Sequence, residues 1–393
     1  MSSVDRWLLP DGVEEVLPPQ AERLEALRRR VVDLYQRWGY EQVFPPVIEF
    51  LESLLSGAGD DLALQTLKVI DPLTGRLMGI RADMTPQVAR IDAHRLHREG
   101  ASRLSYVGHV VHAKPKSLTE SRTLIQTGVE LYGHAGIEAD AEVINVMLAV
   151  LAEAGLPDVQ LDLGHVEIYR SLVACARLDK AAEAELFDIY QRKAGSELSV
   201  FLDANVADKS VADMLQVLLD LSGDNGVLER ARIALKKAPA NVQQALNDLA
   251  TIADSVRSQH PEIPHYFDLS ELRGYHYHTG VVFSAYIPGR GREIARGGRY
   301  DEIGKDFGRA RPATGFSADL HELLRLGAMD VQLPQRIFAP SQNDAELKRA
   351  IDELRKQGLI VVSALASSDS AKSLNCTSEL KKVNGVWQSV AVQ

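Results

Sequence analysis

No stretch of this sequence approaches the ~18 uninterrupted apolar residues that a membrane span requires. The N-terminus, MSSVDRWLLPDG, has neither the basic region nor the apolar run of a secretion signal, so the chain is expected in the cytoplasm, off the membrane. Cysteine is scarce. Cys175 and Cys376 lie too far apart for a metal spacing and suggest no disulfide framework. Basic residues are outnumbered, 44 against 54 acidic ones, for a net charge of -10. That balance weighs against stable nucleic-acid binding, which rests on many Lys/Arg–phosphate contacts. There is no P-loop, no Gly-x-Ser-x-Gly elbow, no Cys/His cluster, no internal repeat and no low-complexity tract. GRGREIARGG lacks the strand-to-helix context of a dinucleotide fingerprint and reads as a hairpin turn. No cofactor and no metal are expected.

What is present is an ordinary globular composition, 45% hydrophobic and 25% charged, over 393 residues, enough for two or three domains. Leu24, Leu27, Val31, Leu34 and Trp38 recur at spacings of three and four and predict a helix over 19–38 with Gly39 as its left-handed cap. YEQVFPPVIEF, broken by Pro45 and Pro46, predicts an edge or interface strand. Thr85-Pro86 opens a second helix, with Thr85 as candidate N-cap. RLSYVGHVVHA and TLIQTGVELYG, parted by KPKSLTESR, predict a hairpin, followed by a helix burying Val143, Ile144, Met147, Leu148 and Leu151 and by the strand VQLDLG.

From about 165 to 260 the pattern is almost wholly helical, an insertion into a strand-rich region. Strands return in HYFDLSEL, YHTGVVFSAYIP and EIARGGRYD, and FSADLHELLRLG predicts a closing helix. After Asp330 come the strand RIFAP, the helix DAELKRAIDELRKQG, the strand LIVVSAL and an Asn384-Gly385 hairpin.

RADMTPQVAR, RLSYVGHVVHAKP with LIQTGVELYG, LRGYHYHTGVVF, ARGGRYDEIG and ATGFSADLHELL occur in that order. Segment by segment, from Trp7 to Leu326, they resemble the histidyl-tRNA synthetase family of class II aminoacyl-tRNA synthetases. The resemblance implies an α+β fold. A six- or seven-stranded, mostly antiparallel sheet would be flanked by helices and would dimerise through the long helix and the strand near Pro45. The core would span 1–330 with the helical insertion at about 165–260, and 331–393 would be a small, truncated α/β remnant of the family's anticodon-binding domain.

The resemblance also implies which residues carry chemistry. The family's ATP-binding arginine and adenine-binding glutamate correspond to His112 and Lys114. Its second ATP arginine corresponds to Glu322, and the glycine before it to Asp319. Unit charges ~4 Å apart interact by roughly 4 kcal/mol at an effective dielectric of 20, so Arg-to-Glu beside a triphosphate turns attraction into comparable repulsion. Synthetase activity is therefore expected to be lost.

The amino-acid side is better kept. Asp83 and Thr85 match the acid and threonine that hold the histidine α-amino group, with Asp one methylene shorter than the family's Glu. Gln126 and Glu130 match two further histidine contacts. Arg273 and Gly274 match the histidine-specific loop, in which Tyr277 agrees with the family while Tyr275, His276 and His278 depart from it. Plainer readings stand beside these: Thr85 as a helix cap, Glu130 as a partner of Arg122 or Arg273, and YHYH as a half-buried polar face.

Lost ATP chemistry, a partly kept histidine pocket and a short C-terminal region together resemble the family's non-catalytic paralogues, the regulatory subunits of ATP phosphoribosyltransferase in histidine biosynthesis. That implies an allosteric role. The chain would be a homodimer joining the short-form catalytic subunit in a hetero-octamer, activating it and conferring inhibition by histidine, with no tRNA bound. The alternatives are an active histidyl-tRNA synthetase, separable by histidine-dependent ATP–pyrophosphate exchange, and a stand-alone histidine-binding module, separable by co-purification with the catalytic subunit.

Overall fold

The computed structural model describes residues 7–56, 60–115, 121–330 and 335–392. The chain divides into two compact units, Met1–Met329 and Asp330–Gln393.

The first unit is organised on a nine-stranded sheet. From one edge to the other its strands are β1 (Glu41–Gln42), β5 (Ser102–Val111), β6 (Thr123–Tyr132), β12 (Ala313–Asp319), β11 (Ala295–Arg299), β10 (Val281–Tyr286), β7 (Gln160–His165), β9 (His265–Asp268) and β8 (Ser222–Gly223). The pairs β1–β5 and β7–β9 are parallel and the rest antiparallel. The sheet is wider than the six or seven strands expected, because two-residue strands are added at both edges, too short to leave a periodic signal.

Helix α1 (Gln20–Arg37) buries Leu24, Leu27, Val31 and Leu34 as their spacing predicts. Trp38 departs from that face: it lies past the last helical turn and is 36% exposed. Gly39 follows at φ +81°, the left-handed conformation that favours glycine. The expected strand after it splits at Pro45-Pro46. Its first part is the edge strand β1, while β2 (Ile48–Phe50) joins a separate three-stranded sheet with β4 (Leu77–Ile80) and β3 (Leu67–Ile70). Short helices α2 (Leu51–Leu55) and α3 (Asp60–Gln65) lie between them in sequence.

Helix α4 (Thr85–Arg90) begins one residue earlier than a Thr85 cap would require, so Thr85 is its first helical residue and the Asp83 carboxylate accepts from the Thr85 backbone N–H at 2.9 Å. The helix runs on into a π-helical turn, Ile91–Leu96. There Asp92 and Arg311 form a buried ion pair at 3.0 Å. The β5–β6 hairpin forms with Ser102 opposite Tyr132; five residues of its loop, 116–120, lie outside the described residues. Behind the sheet, α5 (Ile137–Glu153) buries Val143, Ile144, Met147, Leu148 and Leu151.

Between β7 and β9 the chain is helical: α6 (Val166–Ala176), α7 (Lys180–Gln191), α8 (Gly195–Asn205), α9 (Lys209–Leu218), α10 (Gly226–Ala234) and α11 (Ala240–Gln259). Asp179 and Asp208 cap α7 and α9 through their carboxylates. FSADLHELLRLG is not helical throughout. Phe316–Asp319 complete β12, whose ladder to β6 outweighs local helix preference, and α12 (Leu320–Leu326) starts only after Asp319 caps it.

The second unit is a four-stranded sheet in the order β14 (Ile360–Ser363), β13 (Arg336–Ala339), β15 (Ser378–Val383), β16 (Val386–Ala391). The amphipathic helix α13 (Ala345–Lys356) buries Leu347 and Ile351, which join Ile337, Val361 and Leu380 in its core. Asn384 and Gly385, at φ +50° and +81°, close the β15–β16 hairpin. Among the described residues no helix is long and apolar enough to cross a membrane.

Candidate functional site

The site lies on the sheet face away from α5, where period-two alternation brings Gln126 and Glu130 of β6 to the same side. Tyr106 of β5 is opposite Gly128, which sits between them. A side chain on Gly128 would run into the Tyr106 hydroxyl and the Phe316 carbonyl, so glycine there lets the Tyr106 ring cross toward Glu130. Gly315 of β12 is opposite Glu130, and a Cβ there would collide with the Glu130 carboxyl and the Tyr300 hydroxyl. The two glycines make the room that the Tyr106 ring, the Glu130 carboxyl and the Tyr300 hydroxyl fill.

One hydrogen-bonded chain runs through it. Gln126 Nε2 donates to Asp83 Oδ1 at 2.8 Å, and Gln126 Oε1 accepts from the Met84 N–H at 2.9 Å. Thr85 Oγ1 shares a hydrogen bond with the Tyr106 hydroxyl at 3.2 Å, and that hydroxyl donates to Glu130 Oε1 at 3.0 Å. The structure thus gathers Asp83, Thr85, Gln126 and Glu130 and adds Tyr106, which the sequence reading did not single out. Among the described residues Glu130 has no arginine partner; Tyr106 takes the place expected for Arg122 or Arg273.

The other side of the pocket is aromatic. Tyr277 stacks on Tyr300 with ring centres 5.0 Å apart. The hydroxyls of Tyr277, Tyr300 and Tyr132 and the second Glu130 oxygen, Oε2, are all buried without a hydrogen-bond partner. Burial pushes the Glu130 carboxyl well above the ordinary carboxylate range, and the hydrogen bonds from Tyr106 and Thr85 only partly offset this. Burial and the neighbouring Glu130 likewise raise the Tyr277 and Tyr132 hydroxyls. Three buried, unpaired tyrosine hydroxyls and the second Glu130 oxygen suit a small ligand bearing N–H donors or an ammonium group, which would satisfy that oxygen and favour the charged form of Glu130.

Arg273 stands outside this chain. Its Nε and Nη2 both donate to Glu271 Oε2 (3.0 and 2.7 Å), Nη1 donates to Glu293 at 3.0 Å, and Nη2 also donates to the Tyr286 hydroxyl at 2.7 Å. Further along the same face Asp162 of β7 lies opposite Ser284 of β10. Burial, with Asp268 and Glu271 nearby, raises its carboxyl to about 7.

Of the positions that the resemblance likens to ATP contacts, His112, Asp319 and Glu322 are engaged within the chain. His112 is buried, its Nε2 3.2 Å from the Ala82 carbonyl, and Lys114 is exposed. Asp319 accepts from the N–H groups of Ile125 and His321, each at 3.1 Å. Glu322 is clasped by Arg290 and by Arg292, the latter at 2.9 Å. This changes the electrostatic argument. Glu322 is not a bare charge that would repel phosphate; it is one side of an ion-paired cluster with Arg290 and Arg292.

The histidyl-tRNA synthetase family model matches residues 12–323, and the model of the ATP phosphoribosyltransferase subunit HisZ C-terminal domain matches 334–390. An ATP phosphoribosyltransferase regulatory subunit of Pseudomonas fluorescens is 56% identical over 391 residues, covering 99% of this chain and 98% of the relative. The chain belongs to the ATP phosphoribosyltransferase regulatory subunit family. The regulatory subunit of Azotobacter vinelandii is equally similar, 56% identical with 99% of each chain covered. Among solved structures, an ATP phosphoribosyltransferase regulatory subunit/histidyl-tRNA synthetase from Bacillus halodurans aligns with a TM-score of 0.82 at 26% identity, over 95% of this chain and 97% of that one. A histidyl-tRNA synthetase from Nostoc sp. aligns with a TM-score of 0.78 at 17% identity, over 98% and 97%, which speaks to the fold alone. For a regulatory subunit, internally paired carboxylates at Asp319 and Glu322 and a buried cluster of unpaired oxygens around Glu130 make a coherent set.

The residues that sequence reasoning missed are Tyr106, Tyr132 and Tyr300. Tyr106 and Tyr132 lay inside the hairpin strands, and only the strand register shows that they share a face with Glu130.

Proposed function

We propose that this chain is the non-catalytic regulatory subunit of ATP phosphoribosyltransferase, activating a short-form catalytic subunit and making it sensitive to histidine. The observation that carries this reading is the contrast within one site. Asp83, Thr85, Gln126 and Glu130 keep a connected polar pocket with unpaired buried oxygens, while Asp319 and Glu322 are consumed by internal contacts. Such a site can take up a small amine-bearing ligand without activating it. Histidine is the ligand, with Glu130 Oε2 and the Tyr277 hydroxyl as its receiving groups.

The building block is a homodimer. Phe44, Ile48, Ile70, Leu73 and Leu77 are large apolar side chains exposed on or beside the three-stranded sheet, an apolar concentration that a lone soluble protomer rarely leaves uncovered. Dimers then join catalytic subunits in a hetero-octamer. The direct test is to add the purified chain to a short catalytic subunit and to follow turnover with and without histidine. Higher turnover that histidine then suppresses is the expected result, and no change in turnover would overturn the proposal.

A further inference from the structure

The segment Tyr275–His278 joins two places that the fold otherwise keeps apart. Gly274, at φ +69°, opens a tight turn in which the N–H groups of Tyr277 and His278 both return to its carbonyl at 2.8 Å. The side chains are thereby sent in two directions. Tyr277 goes to the pocket, where it stacks on Tyr300 with its hydroxyl buried and unpaired. His278 packs edge-on against Tyr277 at 5.3 Å, its Nδ1 3.3 Å from the Arg299 carbonyl.

Tyr275 and His276 go instead to the helical insertion. The Tyr275 ring meets Tyr169 of α6 edge-on at 5.3 Å and Phe187 of α7 at 5.5 Å, and His276 lies 5.1 Å from Phe187. Arg170 of α6 lies over the Tyr275 ring at 5.2 Å and donates to the carbonyls of Tyr275 (3.4 Å) and His278 (2.9 Å). Tyr169 is itself braced by Tyr190 of α7 at 4.9 Å. One guanidinium and two rings of the insertion therefore hold the short stretch of backbone from which Tyr277 hangs.

We infer that Tyr169, Arg170 and Phe187 are positioning residues for the pocket, acting through the Tyr275–His278 segment, so that filling the pocket and ordering helices α6 and α7 are coupled. The inference rests on the reading of the pocket as a histidine site. A ligand that engages the Tyr277 hydroxyl fixes a four-residue turn whose members cannot move independently. What fixes one end of that turn restrains the aromatic contacts at the other. Coupling of this kind is reciprocal: if histidine orders α6–α7, loosening α6–α7 weakens histidine binding by the same factor. His276 is exposed and Phe187 only half-buried, so the contact can yield without opening the core.

The test uses the full chain and L-histidine. Calorimetry reads histidine binding, and amide hydrogen exchange reads α6 and α7 with and without histidine. In the natural chain, histidine is expected to slow exchange in both helices. Phe187→Ala should abolish that response and weaken binding about tenfold, within the usual range of coupling between sites, and Phe187→Tyr should restore both. His276→Ala, which removes an exposed ring, should produce the same loss in milder form and serves if Phe187→Ala does not fold. Histidine that binds the natural chain while exchange in α6–α7 stays unchanged would overturn the inference and leave the pocket reading standing. So would folded variants that bind and respond like the natural chain. A natural chain that binds no histidine would overturn the pocket reading itself, and this inference with it.

Discussion

Tyr106 reaches over Gly128 from the neighbouring strand and gives its hydroxyl to the buried carboxyl of Glu130 at 3.0 Å. That contact joins Oε1 to the network that runs from Asp83 to Glu130, and among the described residues Oε2 has no hydrogen-bond partner. Tyr106→Phe would strip this hydrogen bond from a carboxyl in a buried site, leaving Thr85 as its remaining hydrogen-bonding neighbour. The cost of such a loss is ~1–3 kcal/mol, to be read as a lower urea midpoint at unchanged slope. Histidine binding should fall in the same variant, because the carboxyl loses the group that orients it. A Tyr106→Phe chain as stable as the natural one would mean that water already satisfies Glu130.

Asp162 makes the stability of the chain depend on pH. Its folded carboxyl titrates at about 7, raised above the ordinary value of 3.8 by burial and by Asp268 and Glu271. The fold therefore favours the protonated form. This contribution is complete below about pH 4, declines as pH rises toward 7, and is absent above it. Asp162→Asn cannot ionise. It should gain ~2–4 kcal/mol relative to the natural chain on going from pH 4 to pH 8, since each pKa unit is worth ~1.36 kcal/mol. Urea titrations at the two pH values measure it, and parallel curves would show that the carboxyl titrates normally.

Glu322 bears on the missing synthetase chemistry. The chain should show no histidine-dependent ATP–pyrophosphate exchange, and Glu322→Arg should not restore it. The new guanidinium would sit beside Arg290 and Arg292 in place of the carboxylate they share, destabilising the fold by roughly 2 kcal/mol through like-charge repulsion. Exchange above background in either chain would refute the idea that the nucleotide positions have been closed from within.

How much of this was legible in the sequence depended on the range of the interaction. Local periodicity carried α1, α5, α13 and the β5–β6 hairpin, because the residues that define each element are its own near neighbours. The cluster of Asp83, Thr85, Gln126 and Glu130 came from resemblance, segment by segment. Its aromatic half, Tyr106 and Tyr300, is fixed by strand register and by a packing partner far away in sequence, which no local pattern encodes. Arg273 is a mixed case: Glu271, two residues away, and Glu293 and Tyr286, farther along the chain, together hold its guanidinium. Trp38 had the right spacing for a buried face but lies just beyond the end of the helix, where the period no longer applies.

The exposed apolar side chains of the three-stranded sheet lead to a prediction about assembly. The chain alone should be a dimer by light scattering at micromolar concentration. Ile70→Asp, at a position 70% exposed in the protomer, should shift it toward monomer without lowering the stability of the protomer itself. A natural chain that runs as a monodisperse monomer would count against the homodimer as building block.

Activation and inhibition should separate in the assembled enzyme. Glu130→Gln keeps the shape of the side chain and its bond from Tyr106, so the protomer and its contacts with the catalytic subunit should survive, and activation with them. What the amide cannot do is accept the charge-assisted hydrogen bonds of an ammonium or imidazolium group, typically worth ~1.5–3 kcal/mol. The histidine concentration for half-inhibition should therefore rise tenfold or more, since ~1.4 kcal/mol is one decade. Arg273→Ala provides the contrast. Its guanidinium is engaged by Glu271 and Glu293 rather than by the Glu130 network, so its effect on inhibition should be much the smaller of the two. Glu130→Gln that activates normally and remains fully sensitive to histidine would move the sensor out of this pocket. An effect of Arg273→Ala equal to that of Glu130→Gln would mean that the ligand draws Arg273 away from its carboxylates when it binds.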